Sequence, residues 1–171
     1  MSGSAVLYSE AEIRARVEAM AHAIAAAPRR PEILVPVLVG AFVFAADLSR
    51  ALSREGLDLP VEFLWLASYR DGRAGGEVAV RAGAGEAVHG KSVLLVDGVL
   101  DRGRTLMTAR DLLVQAGAST ITTAVVVDKR HAAALLRADF ACFTDVADFI
   151  AGYGMDDAGR ARGLPYIAKL D

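Results

Sequence analysis

The chain has 171 residues, the length of one domain, so a single domain spanning 1–171 is expected. An apolar share of 54% supplies a core and excludes a disordered chain, while a net charge of −2 argues against nucleic acid or an anionic membrane surface as the main partner. The single cysteine, Cys142, excludes an internal disulfide. No apolar run reaches membrane-spanning length and no secretion signal opens the chain, so a cytoplasmic protein is expected.

Ser9-Glu10-Ala11-Glu12 has the form of a capping box, and Ile13, Val17, Met20, Ala21 and Ile24 follow on one face, which predicts a helix ending near Pro28. Residues 33–39 read as a buried strand, although Pro36 cannot donate to a ladder. Gly40 turns the chain into a helix over about 42–53, and a strand follows over 61–67. Six glycines between Arg70 and Gly90 leave room only for a short strand, 77–81, among mobile loops. Next come a strand over 92–96, a helix to about Gln115 stopped at Gly117, and a β-branched central strand over 120–127. A short helix over 132–136 and two late apolar strands, 140–143 and 149–153, complete the reading. The alternation implies an α/β fold with a mainly parallel sheet and helices on both faces.

In such a sheet, ligands sit beyond the C-terminal strand ends. Four features fall there: Leu38-Val39-Gly40, Ser68-Tyr69, Asp97 to Thr105, and Asp128-Lys129. The third is the most informative. A greasy run ends in Asp97 and Asp101, then a short Gly/Thr turn opens a helix. Strand-end carboxylates suit ribose hydroxyls, and free amides at a helix start suit a phosphate. His22, His89 and His131 form no ligand cluster, and Cys142 reads as a buried small hydrophobe.

These residues resemble the type I phosphoribosyltransferases, and within them the hypoxanthine-guanine enzymes. The signature stands as Asp97-Gly98-Val99-Leu100-Asp101-Arg102-Gly103-Arg104-Thr105. The segment 38–48 resembles the family's pyrophosphate loop and its helix. Ser68-Tyr69 matches the start of the mobile active-site loop, and Asp128-Lys129 lies where the purine is read. Asp139-Phe140, the run 149–156, Arg162 and Leu164-Pro165-Tyr166-Ile167 resemble the C-terminal hood. The resemblance covers nearly the whole chain and keeps motif order. It implies a type I phosphoribosyltransferase fold: a core over about 30–135 and a small hood from the N-terminal segment and about 138–171.

The reaction implied is transfer of a phosphoribosyl group from 5-phosphoribosyl 1-diphosphate to hypoxanthine or guanine, with Mg²⁺ on the diphosphate. Asp101 is implied as the general base at the purine N7; the bland alternative is a helix N-cap aspartate. Asp97, Arg102, Gly103, Arg104 and Thr105 are implied for ribose and 5′-phosphate, and Val39, Gly40 and Arg162 for diphosphate. Lys129, Phe140 and Ala141 are implied for the purine, Ser68 and Tyr69 for a lid, and Asp156 for the metal. Lys129, as a donor, favours 6-oxopurines over adenine. For Phe140 the bland alternative is core packing, and for Asp156 with Arg162 it is a surface ion pair. A homodimer or homotetramer is also implied.

Three positions depart from the pattern. Gly98 replaces the usual second acid, Val39 a frequent lysine, and Arg102 a small hydroxyl residue. If Gly98 is a lesion, restoring the acid should tighten donor binding. Gly98 and Val39 also motivate a competing reading, a nucleotide sensor of the same fold without turnover. An RNA-binding regulator is disfavoured, because no strong basic run tracks phosphates.

Overall fold

The structure, a computed structural model, describes residues 5–68 and 78–170. Ser9 caps helix α1 (Glu10–Ala26): its Oγ accepts from the Glu12 amide at 3.3 Å, and Glu12 Oε2 accepts from the Ser9 amide at 2.8 Å. The face predicted to be apolar is the buried one, Ile13 through Ile24. Helix α2 (Phe42–Arg54) packs beside α1, burying Phe44, Leu48 and Leu52.

Six strands form the main sheet in the order β4-β3-β2-β5-β6-β7: β2 (Ile33–Leu38), β3 (Leu64–Ser68), β4 (Val78–Ala82), β5 (Ser92–Leu100), β6 (Thr120–Asp128) and β7 (Phe140–Thr144). All neighbours run parallel except β3 and β4. The two faces are covered separately. Leu34, Leu94 and Val96 pack under α1 and α2, while Val35, Val93 and Leu95 pack under α3 (Arg104–Gln115) with Leu106, Ala109 and Leu113. Burial on both faces is why these strands read as unbroken apolar runs rather than alternating ones.

Pro36 is accommodated by a gap in the β2–β3 ladder. Leu34 donates to Pro60 and forms an isolated bridge with Val61, and regular pairing resumes only at Val37 with Leu64. Two residues on from Leu34, the missing proline N–H would point at the same neighbour, where no ladder bond forms.

A second, antiparallel sheet joins the chain ends: β1 (Ala5–Tyr8), β9 (Ile167–Leu170) and β8 (Phe149–Ala151). Tyr8 stacks on Phe143 with ring centroids 3.7 Å apart, and Tyr153 donates to Asp47 of α2 at 2.7 Å, which fastens this sheet to the core. Burial and the Asp47 carboxylate raise the Tyr153 phenol above its ordinary pKa.

Two local expectations change. Residues 132–136 form no helix. The Asp128 carboxylate accepts from the Arg130 amide at 2.8 Å and the Ala138 amide at 3.4 Å, closing the segment into a loop. Strand β5 also runs four residues past its expected end at Val96. It leaves β2 there but stays paired to β6 from Asp97 with Val125 to Leu100 with Asp128.

Candidate functional site

The sheet order reverses direction between β2 and β5, and a cleft of about 680 Å³ opens above their C-terminal ends. Leu38, Val39 and Gly40 form one wall, Asp97, Gly98 and Asp101 the floor, and Lys129, Phe149 and Asp156 the far side. The extension of β5 makes this floor, because it carries Asp97 beyond the last residue paired to β2.

Asp97 accepts a 2.7 Å hydrogen bond from the Gly98 amide. Desolvation nevertheless dominates and pushes its carboxyl up to about 7. Asp101 is exposed on the bend after β5. It makes no hydrogen bond or ion pair within the described residues, so its carboxylate is free to face the cleft. It is not the cap of α3. That cap is Gly103 at φ +81°, and no side chain satisfies the first amides of the helix. A Cβ on Gly103 would stand 2.9 Å from Leu136 Cδ2, so both backbone shape and packing demand glycine. Thr105 lines the cleft within the first turn of α3, whereas Arg102 and Arg104 are exposed and outside its lining. Open amides at a helix start beside a threonine hydroxyl can hold a phosphate.

Gly98 is closely packed. A Cβ there would meet the Gly40 carbonyl oxygen at 3.1 Å and Met155 Cγ at 3.3 Å; a Cβ on Gly154, at φ +94°, would lie 2.6 Å from the same oxygen. The Gly40 carbonyl therefore sits in a notch between two glycines, and the space of the missing acid is already taken.

On the far side, Lys129 Nζ donates to the Asp148 carbonyl at 2.8 Å, and its backbone amide donates to Leu100. Arg162 Nη2 contacts Asp156 Oδ1 at 2.8 Å and Nη1 donates to the Gly154 carbonyl, while Asp156 Oδ2 accepts from the Gly159 amide. Asp156 and Arg162 are thus partners of one another on the wall of the cleft.

Phe140 and Ala141 are not in the cleft. The register pairs Phe140 with Ala124 and Ala141 with Val125, near the start of β7, whereas the cleft lies at the strand's other end, where Thr144 meets Asp128. Phe140 packs toward the α1–α2 core and Ala141 toward the α3 side. Asp139 clips β6 instead, accepting from the amide and hydroxyl of Thr123, each at 2.8 Å. The aromatic at the site is Phe149, half exposed, followed by Ile150. Its signal was present in the sequence, an aromatic at the head of the run that ends in Asp156. Trp65 and Arg81 also line the cleft and carried no sequence signal. Ser68 closes β3, and Tyr69 lies outside the described residues.

Asp97, Asp101 and Asp156 offer hard oxygen donors, but the described residues hold no cluster of three acid, histidine or cysteine side chains that could bind a metal alone. This fits an ion such as Mg²⁺, which keeps its waters and is held by one or two carboxylates together with substrate phosphates.

Comparison with known proteins agrees with this geometry. Residues 4–158 match the phosphoribosyl transferase domain. The chain is 34% identical over 170 residues to the hypoxanthine-guanine phosphoribosyltransferase of Aquifex aeolicus, covering 97% of this chain and 94% of that one. It is 31% identical over 140 residues to the Streptococcus pneumoniae enzyme of the same name, covering 81% and 76%. The hypoxanthine phosphoribosyltransferase of Trypanosoma cruzi, in complex with the product IMP, superposes with a TM-score of 0.87 at 30% identity over 97% of this chain and 93% of that one. With strand-end acids, a glycine turn and a helix start at one cleft and a family match over most of its length, the chain belongs to the phosphoribosyltransferases, in their hypoxanthine-guanine branch.

Proposed function

We propose that this protein is a purine salvage enzyme that transfers phosphoribosyl from 5-phosphoribosyl 1-diphosphate to hypoxanthine or guanine, giving the nucleoside monophosphate and diphosphate. The observation that carries this is one cleft lined by Thr105 at the uncapped start of α3, the free carboxylate of Asp101, Lys129 and Phe149. Amides of the turn 102–105 and the Thr105 hydroxyl take the 5′-phosphate. Asp97 accepts from a ribose hydroxyl. Phe149 stacks on the base, Lys129 donates to its exocyclic oxygen, and Asp101 holds the N7 proton as the base nitrogen attacks the anomeric carbon. Positive charge then develops on the ribose ring above Asp97 and Asp101, which is where carboxylates stabilise it.

Gly40 and Val39 present backbone to the diphosphate, and Arg162 lies beside it. Asp156 is the residue that would hold Mg²⁺, and such an ion neutralises charge on the leaving diphosphate. Ser68 and Tyr69 begin the lid. The single buried thiol of Cys142 suits a reducing cytoplasm. Among the described residues no helix is long and apolar enough to cross a membrane. A homodimer or homotetramer is supported by exposed Trp65 on β3, Phe63 just before that strand and Phe42 at the start of α2.

The test is steady-state turnover with the diphosphate donor, Mg²⁺ and each of hypoxanthine, guanine, xanthine and adenine. Turnover with a 6-oxopurine but not adenine is expected, and binding without turnover would return the sensor reading. Replacing Asp101→Asn should lower kcat about 10²- to 10⁴-fold while leaving the melting temperature nearly unchanged. An unaltered kcat would remove Asp101 as the base.

A further inference from the structure

We propose that Arg81 binds the diphosphate of the phosphoribosyl donor and supplies the positive charge that Val39 does not. The inference rests on the function proposed above and adds a binding residue to it. Three cations line the cleft among the described residues: Arg81, Lys129 and Arg162. Lys129 is taken by the Asp148 carbonyl, and Arg162 by Asp156 and the Gly154 carbonyl. Among the described residues, the Arg81 side chain makes neither a hydrogen bond nor an ion pair. Its guanidinium rests over the Trp65 ring, 5.4 Å from the centroid.

That arrangement orients the group. A guanidinium held over an aromatic face leaves its N–H donors free for an oxyanion and loses less rotamer freedom on binding. Trp65 is held in place by the sheet. It pairs with Leu38, the residue immediately before Val39 and Gly40, so the ring stands beside the loop that faces the diphosphate. Arg81 thus reaches the same wall of the cleft as Val39, from the neighbouring strand pair.

Charge balance points the same way. The cleft lining carries three carboxylates, Asp97, Asp101 and Asp156, against three cations, two of them already engaged. A donor with phosphates at both ends needs a free cation near the leaving group. The 5′-phosphate is provided for at the start of α3, and Arg81 is the free cation at the opposite wall.

Arg81→Ala and Arg81→Lys should be compared with the unaltered protein. The readouts are donor KM, hypoxanthine KM and the competitive inhibition constant of inorganic diphosphate. Arg81→Ala should raise donor KM and the diphosphate constant together by about tenfold, the loss of one charge-assisted contact at a half-open site. Hypoxanthine KM should move less than about twofold. Lysine should recover part of the loss, and Val39→Lys in the Arg81→Ala protein most of it. Unchanged donor KM and diphosphate constant would overturn the proposal, and so would an equal rise in hypoxanthine KM or no recovery by either lysine. If the unaltered protein shows no turnover, the functional reading fails. Calorimetric titration of inorganic diphosphate with Mg²⁺ into both proteins then still decides Arg81.

Discussion

At the scale of single residues, Asp97 couples the site to pH. Its carboxyl stands near 7 in the folded chain and near 3.8 when unfolded, because burial penalises the charged form. A raised acid pKa means that folding favours the protonated state. The group therefore costs nothing below pH 4, its cost grows as pH rises from 4 to 7, and it is constant above. Asp97→Asn should accordingly stabilise the protein at pH 8 by roughly 1–4 kcal/mol, with the gain fading toward pH 4, as read by thermal melts across that range. The same substitution should raise donor KM on the order of tenfold, because an amide cannot give the charge-assisted bond to ribose. In the unaltered protein donor affinity should fall as pH drops below about 7; a flat profile would mean Asp97 does not meet the donor. Gly98 is the second case. The sequence suggested that Gly98→Asp would repair a lesion, but the Gly40 carbonyl lies 3.1 Å from the new Cβ. The substitution should instead displace the loop and raise donor KM, and a lower KM would show that the loop yields.

At the scale of elements, legibility followed how local the cause was. The capping box of α1 and the apolar stripe behind it lie within one segment, so sequence alone placed that helix to within a residue or two. The turn that opens α3 at Gly103 was legible because acid, glycine and helix start are contiguous. Phe140 was misread because its place depends on the register of β7 against β6, a relation between distant segments that neither motif carries. Arg81 was invisible for the same reason, since its place beside Trp65 at the cleft depends on how β4 pairs with β3. The helix expected over 132–136 failed because Asp128, buried and outside that segment, takes its flanking amides. Gly103→Ala probes the best of these local inferences. It forces a side chain into φ +81° and against Leu136, so stability should fall by about 1–3 kcal/mol and nucleoside monophosphate binding should weaken with it. Equal binding would detach the turn from the 5′-phosphate.

At the scale of the molecule, the sheet is covered unevenly. Helices α1 and α2 bury Leu34 and Leu94, but on that face Trp65 of β3 and Phe63 just before the strand stay 41% and 49% exposed. Leu64 and Leu66, which alternate with them, are buried on the other face under α3. An aromatic pair left open on a sheet face, with Phe42 and Val61 also exposed, favours association with a second copy. Phe63 is the better probe, because Trp65 also supports Arg81. Phe63→Glu places a charge in the contact without touching the cleft lining, and should weaken self-association by at least ~2 kcal/mol, about 30-fold in dissociation constant. Sedimentation velocity should then find a smaller species for the variant than for the unaltered protein at the same concentration. If this open face is the interface, the wall formed by Leu38, Val39 and Trp65 is braced by the partner, and donor KM should rise as the unaltered protein is diluted to its own dissociation constant. A variant of unchanged mass would place the contact elsewhere, and donor KM would then not depend on protein concentration through this wall.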